Sequence, residues 1–202
     1  MGNTVLDIVV NLTTKEDNNM ENEGLKVLEE AGVLLTGHFI LPSGKHSNRY
    51  VQCARLLQYP DKASKFLKSA VEKIKNLDFD IILGPAIGGV LIAYELGRQL
   101  KKPILYIEKE NGEMTLKRGL EIKKGQKILI AEDVITSGKT VKESIELIET
   151  LGGEVVGIVC IVNKESLTMN QKIYSCINLN LKSYTKEECP FCKEKLPLQT
   201  GK

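Results

Sequence analysis

Apolar residues fall along the chain in two rhythms, short unbroken runs and longer stretches with one apolar face. Asp61 to Asn76 keeps Ala63, Phe66, Leu67, Ala70, Val71 and Ile74 on one side, which is the spacing of an amphipathic helix. A second helix is expected from about Val90 to Leu100, and a third carries Val141, Ile145 and Ile148 before Gly152 and Gly153 end it. Between them lie runs of buried-strand type: Asp80 to Gly84, Ile104 to Ile107, Ile128 to Ala131, Val155 to Val162 and Tyr174 to Leu179. Val155 to Val162 is the longest β-branched run and is expected at the centre of the sheet. Strands alternating with helices predict an α/β protein with a central, mostly parallel sheet covered on both faces.

The ends of the chain are patterned differently. Residues 1–22 mix a short apolar piece, Val5 to Val10, with polar residues and read as an N-terminal extension; residues 23–202 read as one domain. Glu23 to Ala31 is expected to be a short helix. Residues 37–54 hold two β-like runs separated by Pro42, Ser43 and Gly44, the pattern of a hairpin. That hairpin, within a hood of about residues 23–58, is expected to be completed by a C-terminal segment ending in a tail, residues 186–202. Glu108 to Gly125 is charged and dotted with glycine, with a weak alternation at Met114, Leu116 and Leu120, and predicts either a solvated hairpin or a mobile lid.

Composition narrows the classes. The 202 residues suit one domain with a real core. A net charge of +2 gives no basic face for nucleic acid, and no apolar run is long enough to cross a membrane. The N-terminus has no secretory pattern, so a cytoplasmic protein is expected. Five cysteines, an odd number, then favour reduced thiols. Cys53, Cys160 and Cys176 sit singly among apolar neighbours and read as packing residues. Cys189 and Cys192 form a C-x-x-C that could be half of a tetrahedral zinc site, a redox pair or a surface motif. With no second pair and no histidine nearby in the chain, a four-ligand site would need a second subunit.

The chemistry concentrates in Lys127 to Thr140. An apolar strand runs into Glu132 and Asp133, then into Thr136, Ser137, Gly138, Lys139 and Thr140, which open a helix. Hydroxyls, a glycine and the free N–H groups of a first helical turn are equipment for a phosphate, and the helix dipole favours an anion there. The acids could hold sugar hydroxyls or a hydrated Mg²⁺, so the stretch describes a ribose 5-phosphate. A nucleotide-triphosphate P-loop would need glycine five residues before Gly138, where Asp133 stands. In a parallel sheet ligands gather at the carboxyl ends of strands, and the turn from Gly84 to Gly89 is expected there too, its paired Gly88 and Gly89 admitting a pyrophosphate. Lys109, Lys117 and Arg118 are the cations of a third such loop.

Apolar residues, paired acids and T-S-G-K-T resemble the phosphoribosyl-pyrophosphate signature of the type I phosphoribosyltransferases. Adding S-G-K-H-S-N-R-Y-V, G-P-A-I-G-G, E-N-G-E-M-T-L-K-R-G and C-P-F-C-K, residues 23–198 resemble the orotate phosphoribosyltransferases within that family. The resemblance implies a type I phosphoribosyltransferase fold with a small hood, and transfer of ribose 5-phosphate from phosphoribosyl pyrophosphate to orotate. It also implies Mg²⁺, held through the phosphoribosyl pyrophosphate and not directly by the protein, with Glu132 and Asp133 as the acids that could reach the hydrated ion, and a homodimer whose loop reaches the neighbouring site. Glu132, Asp133, Val134, Ile135 and Thr136 to Thr140, with Gly88 and Gly89, would then bind phosphoribosyl pyrophosphate. Tyr50, Lys45, Thr136 and Lys164 would bind orotate, while Asp133, Lys109, Lys117 and Arg118 would be catalytic. The family's lysine before S-G is Pro42 here, a second is Gly88, an orotate-binding arginine is replaced by Asn163 and Lys164, and the loop histidine is missing. A transferase for another base, or a regulator that keeps the fold without catalysis, are the other classes compatible with the signature.

Overall fold

Period-two side-chain alternation explains why the middle of this chain forms a sheet buried on both faces. In the computed structural model, which describes residues 28–29, 32–41, 43–116, 119–164, 167, 169–179 and 182–200, two apolar clusters divide alternate strand residues between them. Ile82, Leu129, Ala131 and Val159 face one cluster; Ile81, Leu83, Ile128, Ile130, Ile158 and Cys160 face the other. Strands β3 (Ile81–Pro85), β4 (Ile104–Glu110), β5 (Glu113–Leu116), β6 (Lys127–Ile135), β7 (Glu154–Lys164) and β8 (Ile173–Leu179) form six strands in the order β5-β4-β3-β6-β7-β8. All pair in parallel except β4 with β5.

Helices close both faces. Helices α2 (Pro60–Ile74) and α3 (Gly88–Leu100) put Phe66, Leu67, Ala70, Ile74, Ile92, Ala93 and Leu96 into the first cluster. Helix α4 (Lys139–Thr150) puts Val141, Ile145 and Ile148 into the second. A short α1 (Ala54–Leu57) precedes α2. Pro60 stands in the first turn of α2, where its missing N–H costs nothing. Among the described residues the expected helices from Asp61, Val90 and Val141 and the expected strands are therefore present, with one change of position. β7 lies between β6 and β8, one strand in from the edge, and the middle of the sheet is β3 with β6.

A second sheet, in the order β2-β1-β9, joins β1 (Leu34–Ile40), β2 (His46–Val51) and β9 (Gln199–Thr200). β1 and β2 are the expected antiparallel hairpin, and the end of the chain adds β9 parallel to β1. This sheet and the segment 182–200 make the expected hood. The N-terminal extension, Pro42, Lys117, Arg118 and all but residues 28 and 29 of the first expected helix lie outside the described residues.

Leu129 is completely buried in the middle of the larger sheet. Leu129→Ala is expected to lower unfolding free energy by about 2–5 kcal/mol, from lost burial plus the cavity left behind. Urea denaturation measures it; a loss below about 1 kcal/mol would show that the site collapses around the smaller side chain.

Candidate active site

β6 continues further than its apolar run suggests. Glu132 and Asp133 lie on the strand itself, which ends only at Ile135, paired with Asn163 of β7. Asp133 accepts the N–H of Val134 through Oδ1 at 2.7 Å, and Glu132 accepts the N–H of Asp133 through Oε1 at 3.0 Å. Glu132 is 8% exposed. Burial first, and the adjacent Asp133 second, push its carboxyl up to about 8. Asp133 is half-buried, so of the two acids it is the one open to a ligand.

The loop beyond the acids is exposed at Thr136 and Ser137. Gly138 then turns it into α4 with φ 69°, a left-handed conformation that costs glycine little. No side chain caps α4; the Ser137 hydroxyl lies 3.4 Å from the Lys139 N–H. The first-turn amides that a Ser, Thr or Asp cap would occupy are thus available to an anion, with no acidic residue in the first turn to oppose one. Leu167 and Met169 pack over Gly138, where a Cβ would lie 3.2 Å from Leu167 and 3.5 Å from Met169.

The turn after β3 runs against this loop. A Cβ on Gly88 would strike the carboxylate of Asp133, and one on Gly89 would lie 2.5 Å from the Ala131 carbonyl oxygen. Glycine is needed there for close approach between neighbouring strand ends, and it leaves the Asp133 carboxylate unobstructed. The Ala86–Ile87 peptide in the same turn is cis, and Ile87 is exposed.

The third loop is a hairpin. Asn111 and Gly112, with φ of 51° and 90°, make the tight turn between β4 and β5, the geometry an Asn-Gly pair favours. Met114, Leu116 and Leu120 pack against the second apolar cluster, so the described part of the segment is a hairpin with one face docked on the core. Lys109 on β4 meets Glu143 of α4 at 2.8 Å, and Lys139 lies 3.9 Å from the same carboxylate. The hairpin is tied to the helix that begins at the phosphate-type loop. Sequence reasoning missed Glu143, because nothing local in the chain marks a contact between β4 and α4.

The residues expected around the base are spread out. Lys45 is exposed in the β1–β2 turn. Tyr50 is half-buried on β2, with its ring 5.6 Å from Phe39. Lys164 is the last residue of β7. Asn163 is buried beside Ile135, donating to Asn178 Oδ1 at 3.2 Å while its own Oδ1 has no hydrogen-bond partner. An orphaned buried acceptor at a strand's carboxyl end marks a polar position that the departing motif hid. Cys189 and Cys192 lie in the hood, away from these loops, at α5 (Pro190–Lys193).

Three loops at the carboxyl ends of parallel strands, with paired acids beside an uncapped helix start, are the layout of a sugar-phosphate transferase. The chain belongs to the phosphoribosyl transferase domain family, whose model matches residues 54–189. A curated orotate phosphoribosyltransferase of Caldanaerobacter subterraneus subsp. tengcongensis is 46% identical over 182 residues, covering 89% of this chain and 96% of that protein. The crystal structure of orotate phosphoribosyltransferase from Aeropyrum pernix superposes with a TM-score of 0.67 at 26% identity, over 77% of this chain and 93% of that one. The structure of Leishmania donovani UMP synthase gives a TM-score of 0.67 at 26% identity, over 78% of this chain and 36% of that one.

Raising the carboxyl of Glu132 makes stability depend on pH. The folded chain holds that proton more tightly than the unfolded chain, so the contribution is complete below about pH 4.5 and is lost as pH rises to about 8. Glu132→Gln removes the ionisation, and its stability relative to the parent is expected to improve steadily across that window. Denaturant titrations at about pH 5 and about pH 8.5 check this. An unchanged difference between the two would mean that Glu132 is charged in the native state at neutral pH.

Proposed function

We propose that this chain is an orotate phosphoribosyltransferase, transferring ribose 5-phosphate from phosphoribosyl pyrophosphate to orotate to give orotidine 5′-monophosphate and pyrophosphate in pyrimidine synthesis. One observation carries the phosphoribosyl half: paired acids at the carboxyl end of β6 and an uncapped helix start at Lys139, joined by one short loop. They match the hydroxyls and the phosphate of one ribose 5-phosphate. The choice of base is supported by the similarity to the Caldanaerobacter protein over nearly its whole length.

Thr136, Ser137, Gly138, Lys139 and Thr140 hold the 5-phosphate through amides and hydroxyls. Glu132 and Asp133 hold the ribose hydroxyls, with Val134 and Ile135 keeping them on the strand. Gly88 and Gly89 let the backbone approach the pyrophosphate. The carboxylates of Glu132 and Asp133 offer oxygen donors only, which suits a hard cation such as Mg²⁺. Asp133, joined by Glu132 once that carboxyl gives up its proton, would hold the substrate's hydrated Mg²⁺, and the ion would neutralise pyrophosphate charge.

In the reaction the bond from the anomeric carbon to the pyrophosphate oxygen breaks, and its electron pair leaves with pyrophosphate. The orotate nitrogen supplies the pair for the new bond and gives its proton to water. Positive charge develops on the sugar ring, where the Asp133 carboxylate stabilises it. Lys109, Lys117 and Arg118 stabilise the departing pyrophosphate, Lys109 by exchanging Glu143 for it. Tyr50 stacks on the orotate ring, while Lys45, Thr136 and Lys164 meet its polar edge. We assign the chain to the cytoplasm as a homodimer, with residues 23–202 as one domain behind the extension 1–22.

Purified protein with Mg²⁺, phosphoribosyl pyrophosphate and either orotate, uracil or hypoxanthine tests this directly. Consumption of orotate alone is expected. Turnover of another base in its place would overturn the choice of base, and no turnover of any would favour a non-catalytic regulator.

Asp133→Asn is expected to lower kcat about 100-fold or more with the fold intact by circular dichroism. Kinetics equal to the parent's would remove Asp133 from the site. Lys117→Ala is expected to lower kcat by at least about tenfold while changing KM for orotate less than threefold or so. The reverse split would place Lys117 on the base.

A further inference from the structure

The hood brings together four side chains that the transferase chemistry does not use. His38 on β1, His46 on β2, and Cys189 and Cys192 around α5 each direct one ligand atom to a common point, and the four atoms lie within 4.8 Å of one another. His38, His46 and Cys189 are buried, and Cys192 is half-buried. His38 Nε2 lies 2.9 Å from His46 Nδ1, 3.5 Å from Cys189 Sγ and 3.6 Å from Cys192 Sγ. Cys192 Sγ lies 3.2 Å from His46 Nδ1.

Hydrogen bonding alone does not account for this convergence. His38 Nδ1 lies 2.9 Å from the Leu196 carbonyl oxygen, which can only accept, so Nδ1 carries a proton and in the neutral ring Nε2 is bare. A bare imidazole nitrogen has one lone pair, yet Nε2 has three potential partners around it. A single cation at the centre satisfies all of them. A zinc ion bonded to sulfur at about 2.3 Å and to nitrogen at about 2.0–2.1 Å in a tetrahedron spaces sulfur from nitrogen by about 3.5 Å and nitrogen from nitrogen by about 3.3 Å. His38 Nε2 meets both sulfurs at that spacing, at 3.5 and 3.6 Å, while His46 Nδ1 stands closer to Cys192 Sγ and to His38 Nε2, at 3.2 and 2.9 Å, a crowding that a central ion would open by a few tenths of an ångström. The Leu196 carbonyl supplies the outer hydrogen bond that fixes a ligating imidazole's tautomer and orientation.

We propose that His38 Nε2, His46 Nδ1, Cys189 Sγ and Cys192 Sγ form a structural zinc site that fastens the C-terminal segment to the hood hairpin. Two thiolates and two imidazoles in a closed, largely buried set leave no open position for substrate, which is the mark of a structural and not a catalytic centre. All four ligands come from one chain, so no second subunit is needed to complete the C-x-x-C pair. The hood has reason to use a metal. Of β1 and β2, only Leu34 and Phe39 are buried apolar residues, and β9 is exposed. So small an apolar centre holds a three-stranded sheet poorly without a staple. The metal would fix β1, β2 and the tail in one step, beside the His46–Tyr184 bridge and the packing of Phe191 on Tyr184 and His38.

Metal analysis of the full chain purified without chelator is expected to find about one zinc per chain, surviving gel filtration. Cobalt(II) added to chelator-stripped protein is expected to give the absorption of tetrahedral cobalt with thiolate ligands, and zinc to bleach it. Alkylation of the native protein should spare Cys189 and Cys192 until a strong chelator is present, and that chelator should lower the melting temperature. The variant Cys189→Ala with Cys192→Ala should lose both the zinc and the cobalt spectrum. Because the spectrum and the thiol protection are read on the unaltered chain, misfolding of the variant cannot mimic or hide the result. Metal-free protein that takes up neither zinc nor cobalt above the double variant, or a Cys189–Cys192 disulfide in its place, would overturn the site.

Discussion

A strand buried on both faces and paired on both edges has one place to do chemistry, its end. β6 is such a strand: β3 and β7 take its backbone hydrogen bonds, and the two helix layers take its side chains. Polar function is pushed to the carboxyl terminus, and the strand carries it one residue pair too early for comfort. Glu132 is still inside the protein, and burying a carboxyl raises its affinity for a proton. Asp133, one step further out, meets solvent. The raised proton affinity of Glu132 thus comes from the buried face it occupies, although its neighbour in the chain reaches solvent.

The same packing decides what is rigid and what can move. Gly88 and Gly89 bring the β3 turn so close to Asp133 and Ala131 that the pyrophosphate-type turn and the acids are held as one unit. The hairpin of β4 and β5 is held differently at its outer end. Its apolar residues dock on the core, but the link from Lys109 to Glu143 is an ion pair between partly exposed groups. Such pairs contribute about 0–1 kcal/mol, little enough for a polyanionic ligand to displace. A lysine exchanging a carboxylate for a departing pyrophosphate needs a partner that holds weakly. Because Glu143 sits on the helix that begins at the T-S-G-K-T loop, the ion pair ties the hairpin to the start of α4, and the exchange proposed for Lys109 would release that tie.

The larger sheet was legible because both its strands and its helices obey strong periodicities. Its acids and T-S-G-K-T loop were legible because they are contiguous. What was not legible depends on contacts across the fold. Val155 to Val162 reads as central from its β-branched residues alone, yet strand order follows from crossovers, and the run lies next to the edge. β6 looked finished at Ala131 because apolar character stops there, while its ladder with β7 continues to Ile135. Asn163 looked like a lost arginine, and only the register shows its orphaned oxygen beside the end of β6. The lid-or-hairpin choice turned on an Asn-Gly pair that could have been read as a tight turn from sequence.

The hood shows the same limit in its sharpest form. Cys189 is 151 positions from His38, so no local spacing joins them, and the C-x-x-C pair looked half finished. Both histidines nevertheless stood in the hairpin, one of them inside the S-G-K-H-S-N-R-Y-V element that suggested the base. On β2, His46 and Tyr50 are an even number of residues apart and so point to the same face. β1 carries an irregularity between their partners, Thr36 pairing with Arg49 but Phe39 with Ser47, so a ligand that fixes His46 against Ile40 anchors one end of the hairpin while Tyr50 keeps its own ladder with Leu35. A one-residue slip in that ladder would turn Tyr50 to the opposite face, away from Phe39. The C-terminal segment thus meets the hairpin at its His46 end, through the bridge to Tyr184, four residues along the same strand from Tyr50.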